Sequence, residues 1–411
     1  MPTNRKPLRI AVLGLFGSSN HGNEATLAAF VHHVSRRLRD TEFVCIGPPQ
    51  SNIEATLGFP LLLLDPLPVA RYFWRIRPNS LRLACIRFAQ RVSEGHRRQT
   101  AIEMLDGVSV LAMPGTGIID DFGQGPLDMP THLDRWTFAA VQLGIPSSFL
   151  SIGVSSVSRS ESRSLFRRSL ARANYCSFRD TVSSVNAKAL GYQRSLSVVP
   201  DLAFSMPLEW LVPSSLRRPQ RAIGIGVMGY FGWNRSESEG EGIYRRYLDK
   251  LCAVVDAVRA DGNDIRLITG DARADDDTVR HVIDRCGEEY PSLGRLIAEP
   301  IVNFRDALCQ IGLCDLIVAT RFHNVLFSLA LKRPTVSIGY GDKNDALMAD
   351  FGLQHYCHSI ESFEVEAVLQ HIRHLNRYPQ DALAGVPERL DEARTKLDAQ
   401  YDHWSASWVN C

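Results

Sequence analysis

The chain has no apolar run long enough to span a membrane, no CxxC pair and no GxGxxG loop. It also lacks a surplus of charge: 46 basic against 45 acidic residues leave a formal net charge of +1. Bulk attraction to nucleic acid is thereby excluded, and any anion site must be local. The nine cysteines are odd in number and scattered, many in apolar runs such as those around Cys45, Cys252 and Cys309. They read as small core residues, so neither a disulfide framework nor a metal site is expected. The N-terminus, MPTNRKPLRIAVLGLFG, has a few basic residues but lacks the long apolar stretch and cleavage site of a signal peptide. These absences together predict a cytoplasmic protein.

What is present is an ordinary globular composition, 45% hydrophobic and 22% charged, over 411 residues. That length exceeds one core and predicts two domains. Short apolar runs alternate with helical periodicity from end to end, the pattern of doubly wound parallel sheets. LRIAVL leads through a turn containing Ser18, Ser19, Asn20 and Gly22 into a helix opened by Glu24. Such a strand–turn–helix junction offers helix-start amides to an anion or a sugar. VSVLAMPGTGIIDDFG repeats the arrangement, with Asp120 and Asp121 just beyond the turn, where a carboxylate can bind a hydroxyl, act as a base or cap a helix. YCSF closes on Arg179 and Asp180, and SLSVVPDLAFSMP (195–207) reads as a last strand of the first half. The proline-rich stretch 207–220 is the expected linker. RAIGIGVMGYFGWN then restarts the pattern, so the expected division is 1–207, 221–380 and a helical tail at 381–411.

The most informative stretch is DLIVATRFHNVLFSLALKRPTVSIGYGDK (315–343). It reads as a βαβ unit whose first junction carries Arg321 and His323 and whose last loop carries Tyr340 and Lys343. C-terminal strand ends of open parallel sheets face the ligand crevice. Arginine forks fit phosphate and carboxylate, and histidine exchanges protons near neutral pH. A buried Arg–His pair that only ties two loops together is the plainer alternative.

Residues 59–98 stand apart, with eight arginines against Asp65 and Glu94, interleaved with Tyr72, Phe73, Trp74 and Phe88. On a helix from about 81 to 92, Leu81, Ala84, Cys85, Phe88 and Val92 share a face while Arg82, Arg87 and Arg91 lie off it. An ordinary helix with a solvated basic side explains this. Peripheral contact through residues 71–98 with an anionic membrane surface, at its inner face, is the alternative.

Several of these stretches carry a family resemblance. GLFGSSNHGNEATL resembles the first-loop motif of the polysaccharide pyruvyl transferase family, which reads GxxNxGDEAIL. MPGTGIIDD is similar to its GGGxxxxD segment, SFRDTVSS with LGYQ…VVPDLAF to its SxRDxxS…LG…DxAF block, and ATRFHNVLFSLALKRPTVSIGYGDK to its RxHxxxFxxxxGxPxxxxxYxxK block. The matches run from about residue 10 to 345 in the family's order. The chain departs from the pattern at Asn23, where aspartate is usual, and at Pro114 and Thr116, which interrupt a glycine run.

The resemblance implies a GT-B-like α/β fold: two tandem Rossmann-like doubly wound domains with an interdomain cleft. It implies transfer of pyruvate from phosphoenolpyruvate, a co-substrate with no further cofactor, onto a lipid- or nucleotide-linked saccharide to form a ketal, as in exopolysaccharide biosynthesis. His323, Arg321 and Lys343 fall on the donor motif as catalytic candidates. Arg179, Asn20, Glu24, Gly115, Asp120, Asp121 and Tyr340 are substrate-binding candidates. Two alternatives stay open: a glycosyltransferase using a nucleotide-sugar, and a non-catalytic member docked on a membrane.

Overall fold

The structure is a computed structural model and describes residues 7–49, 51–68, 72–73, 76–121, 125–211, 222–233, 235–287 and 293–408. Twelve strands form two six-stranded sheets. The first contains β1 (Leu8–Leu13), β2 (Thr41–Gly47), β3 (Leu61–Leu63), β4 (Val110–Pro114), β5 (Ser147–Ile152) and β6 (Tyr175–Phe178), in the order β3-β2-β1-β4-β5-β6. The second contains β7 (Ala222–Gly226), β8 (Asp264–Ile268), β9 (Leu296–Ile297), β10 (Leu316–Ala319), β11 (Thr335–Gly339) and β12 (Cys357–Ser359). Read from the β9 edge, its order is β9-β8-β7-β10-β11-β12, which repeats the topology of the first. Neighbouring strands pair parallel in both sheets.

Strands covered by helices on both faces need apolar side chains on both, so they read as continuous runs rather than alternating ones. Ile10, Ala11 and Val12 of β1 and Ile317, Val318 and Ala319 of β10 are all fully buried. At about 1.5–3 kcal/mol for each large aliphatic side chain, such central strands anchor their sheets. In each sheet the chain reverses its winding beside the first strand, at β1/β4 and at β7/β10, the places where ligands bind in folds of this kind.

The chain clusters into two compact units: Met1–Ser18, Phe30–Leu202 and Ala399–Cys411 form one, and Ser19–Ala29 with Ala203–Asp398 the other. The expected bounds of 1–207, 221–380 and 381–411 differ from these in three places, the first being that residues 203–207 group with the second unit. The turn and helix start at 19–29 group with the second unit. The last helix, Val386–Ala406, is divided, and its end belongs to the first unit. There Gln400 Nε2 donates to Ser151 Oγ and Trp404 Nε1 to Ser148 Oγ, both at 3.0 Å.

Residues 195–207 do not form the expected strand. Phe178 and Val198 make an isolated bridge, and Leu202–Ser205 is a 3-10 turn. Pro200 and Pro207 bring no N–H to a ladder, which limits pairing there. Of the expected linker, residues 212–220 lie outside the described residues. Its start is a short helix, Leu208–Leu211, whose Trp210 stacks near Phe304 with Arg305 over the ring.

Candidate active site

The second unit holds six of the candidate residues: Arg321 and His323 after β10, Tyr340 and Lys343 after β11, and Asn20 and Glu24 in the segment 19–29. After β10, Thr320 Oγ1 donates to the Gly226 carbonyl (2.8 Å), tying this end to β7. Arg321 follows as the N-cap of the helix Phe322–Ala330, with extended backbone and no side-chain cap bond. Its guanidinium turns instead to Asp275, Nε donating to Oδ2 at 3.2 Å and Nη2 donating to Oδ1. Asp275 is fully buried and also accepts the backbone N–H groups of Gly229, Gly270 and Asp271 at 3.0–3.2 Å. Burying a carboxylate without hydrogen-bond partners is costly, and these donors offset that cost. Burial pulls the Arg321 pKa down, and Asp275 more than offsets it, so the guanidinium is held above its ordinary value. Gly270 makes room for the arrangement, because a Cβ there would lie 2.6 Å from Arg321 Cγ. Nη1 makes no hydrogen bond among the described residues.

His323 sits two residues further on and packs against residue 22. A Cβ on Gly22 would overlap the imidazole ring. Glycine is therefore required at 22 by close approach, a constraint invisible without the partner. The segment is pinned by its backbone: His21 N–H donates to the Gly270 carbonyl (3.1 Å), Ala272 N–H to Ser19 O (3.1 Å), and Ser19 Oγ to Asp271 Oδ1 (2.8 Å). Asn20 is the N-cap of the helix His21–Arg37, its Oδ1 accepting from Gly22 and Asn23 at 3.1 and 3.2 Å. Glu24 lies half-buried in the first turn of this helix. Burial, and then the nearby Asp271, push its carboxyl up to about 7. His21 is fully buried, with no hydrogen-bond partner for either ring nitrogen among the described residues, and burial lowers its pKa despite Asp271, Asp275 and Asp306.

Tyr340 and Lys343 follow β11. Lys343 Nζ lies 4.6 Å from the centre of the Tyr340 ring and makes no ion pair among the described residues. Tyr340 belongs to an aromatic cluster that the sequence reading did not single out. Its ring centre is 6.4 Å from that of Tyr230 and 5.9 Å from that of Trp233, which is 40% exposed. Tyr230 Oη donates to Glu361 at 2.6 Å. Glu361 also lines a cavity of about 390 Å³ with Arg235, Glu239 and Arg246, a space that Arg321, His323 and Lys343 do not border. The aromatics of GYFGWN were a legible signal; Asp275 was not, because nothing local marks its partner. No group of three or more metal-ligating side chains occurs among the described residues.

The remaining candidates lie in the first unit. Arg179 follows β6 and is buried between two carboxylates, Nε donating to Asp180 (3.2 Å) and Nη1 to Asp201 (3.5 Å). Asp180 caps the helix Thr181–Ala189, accepting Ser183 N–H at 2.6 Å. Gly115 and Thr116 turn the chain after β4 with φ of +60° and +66°. A β-branched residue is strained there, and Thr116 Oγ1 is buried without a hydrogen-bond partner. Asp121 is buried and accepts from the Ser158 and Arg159 N–H groups at 3.2 and 2.9 Å, so its carboxylate organises the loop before the helix Ser160–Arg172. Asp120 is half-buried beside it.

A sequence model of polysaccharide pyruvyl transferases matches residues 20–342, a span that contains both arginine junctions and all but the last of the donor-motif residues. The chain belongs to the polysaccharide pyruvyl transferase family. This is a family of transferases. No curated protein matches the chain by sequence. Among solved structures, the chain is similar to UDP-GlcNAc 2-epimerase from Neisseria meningitidis bound to UDP-GlcNAc. The TM-score is 0.60 at 10% identity, covering 92% of this chain and 93% of that one. The Methanocaldococcus jannaschii UDP-GlcNAc 2-epimerase gives 0.55 at 9%, covering 90% and 92%. The calicheamicin glycosyltransferase CalG4 gives 0.54 at 10%, covering 98% of each chain. At such identities the likeness concerns the fold alone: this family member has a GT-B-like α/β fold.

Proposed function

We propose that this family member transfers pyruvate from phosphoenolpyruvate to a saccharide, forming a ketal. The observation that carries the reading is a pair of cations after neighbouring strands: Arg321, fixed on Asp275 after β10, and Lys343, free of ion pairs among the described residues, after β11. Phosphoenolpyruvate has a carboxylate and a phosphate, and charge-assisted hydrogen bonds from two fixed cations suit both. Arg321 offers Nη1, while Lys343 offers a full ammonium.

In the first step a sugar hydroxyl forms a bond to C2 while a proton reaches the methylene carbon, so the double bond is consumed. His323 supplies that proton. Glu24, whose carboxyl titrates near neutrality, accepts the hydroxyl proton. In the second step phosphate leaves C2 with its electron pair and a second hydroxyl closes the ketal, its proton going to the phosphate. Lys343 and Arg321 offset the charge on the leaving group.

Lys343→Met is the sharpest test, because it removes a cation without orphaning a carboxylate. We expect kcat/KM for phosphoenolpyruvate-dependent phosphate release to fall by at least about 100-fold, with calorimetric phosphoenolpyruvate binding lost. The aromatic cluster of Tyr230, Trp233 and Tyr340 favours one second reading, a nucleotide-sugar whose base stacks there. Binding of a UDP-, GDP- or CMP-sugar with no response to phosphoenolpyruvate, in the presence of acceptor, would replace pyruvyl transfer with glycosyl transfer.

A further inference from the structure

The helix Asn79–Val92 in the first unit is amphipathic, and the apolar side faces outward. Phe88 is 70% exposed, Val92 64% and Leu81 51%, with Ala84 exposed between them. Spacings of three, four and seven residues place these side chains in one stripe. Cys85 at the edge of this stripe, and Ile86 and Ala89 beyond it, are half-buried, and no described side chain of the helix is fully buried. The same geometry sets Arg87 and Arg91 along one edge of the stripe, both exposed. Arg91 meets Glu161 at 3.6 Å, a pair open to water on both sides and therefore weak. Tyr72, just before the helix, is 68% exposed.

The structure narrows the basic segment. Arg97 is buried against Asp65 at 3.2 Å and Arg98 bonds to Asp134 at 2.8 Å, so both serve the interior. Arg71, Trp74 and Arg75 lie outside the described residues. What remains is a stripe of large apolar side chains bordered by arginines.

We propose that this helix docks the protein on an anionic lipid bilayer, with Leu81, Phe88 and Val92 at the headgroup–acyl boundary and Arg87 and Arg91 on the lipid phosphates. Charge complementarity selects this occupant. The exposed stripe gains by leaving water and the neighbouring arginines gain from a negative surface, which is the composition of interfacial helices. A second copy of the chain fits less well. A two-fold contact through this face would bring like arginines together. Four side chains also fall short of the roughly 1,200–2,000 Å² that a stable protein interface buries.

Co-sedimentation of the full chain with vesicles tests the proposal, using phosphatidylcholine alone and with about 30% phosphatidylglycerol, at about 0.1 M and 0.5 M salt. We expect sedimentation with the anionic vesicles only, weakened by salt. Phe88→Ser, and Arg87→Gln with Arg91→Gln, should each lower the partition coefficient on the order of tenfold. Thermal melting of the variants, unchanged from wild type, separates lost docking from lost folding. The proposal is overturned by absent sedimentation, by equal sedimentation with neutral vesicles, or by a folded Phe88→Ser variant that binds as wild type. Dimerisation in light scattering that Phe88→Ser abolishes would overturn it in favour of a second copy.

Discussion

Each unit carries an arginine at a strand-to-helix junction, and the two are held differently. In the first unit Arg179 lies between Asp180 and Asp201, and the helix that follows is capped by the Asp180 carboxylate. In the second, Arg321 is itself the cap residue, its fork engages one carboxylate, and the following helix start has no side-chain cap bond. The first junction is a closed ion cluster at the end of a sheet. In the second, Nη1 of Arg321 makes no hydrogen bond among the described residues. The same residue type in the same local setting thus meets two carboxylates in one unit and one in the other.

The comparison breaks most visibly at the carboxylates. Asp275→Asn strands a buried guanidinium, and urea unfolding should show a loss of about 3–5 kcal/mol. Asp180→Asn leaves Asp201 beside Arg179 and keeps an oxygen that caps the helix, so less than about 1 kcal/mol is expected. Equal losses would mean that the two arginines are held alike.

Gly22→Ala tests whether the second junction depends on the loop at 19–29. The added methyl must displace His323. We expect about 1–3 kcal/mol of lost stability from overpacking, together with loss of phosphate release. Wild-type turnover in a folded Gly22→Ala protein would remove His323 from the chemistry.

Glu24 sharpens the comparison through pH. Its carboxyl is raised in the fold, so the protonated form is favoured there; the stabilisation is complete below about 4.5 and is lost as pH rises to about 7. With solvent screening allowed for, Glu24→Gln should be more stable than wild type by about 1–2 kcal/mol at pH 8 and equal to it near pH 4. The variant should also lack the rise in activity that wild type shows through pH 7. A pH profile unchanged by the substitution would exclude Glu24 as the base.

The smallest effect concerns the first unit. Thr116→Gly relieves a β-branched residue at positive φ and should raise the free energy of unfolding by about 1 kcal/mol. A stabilised variant that has lost acceptor affinity would show that the strain is kept for binding.

Much of the fold was legible because periodicity reports burial. Strands 8–13, 41–47, 110–114 and 316–319 each hold a continuous buried apolar run, as covered parallel strands must. The 195–207 stretch misled because its composition is strand-like while its prolines restrict pairing. Within the site, Arg321, His323, Tyr340 and Lys343 were readable as a group because one βαβ unit carries them all. The role of Asn20 was not, since a side chain that caps a helix and one that meets a substrate have the same signature at this position.

The sequence by itself determined the alternation of strands and helices, the family, and which residues stand at strand ends. Those follow from local periodicity and motif spacing. Tertiary structure alone decided that Asp275 neutralises Arg321 from 46 positions away and that residue 22 must yield its side-chain space to His323. It also decided that the apolar stripe of the helix Asn79–Val92 faces water. Each of these depends on which distant segments meet, and a contact across the fold leaves no period in the chain to read.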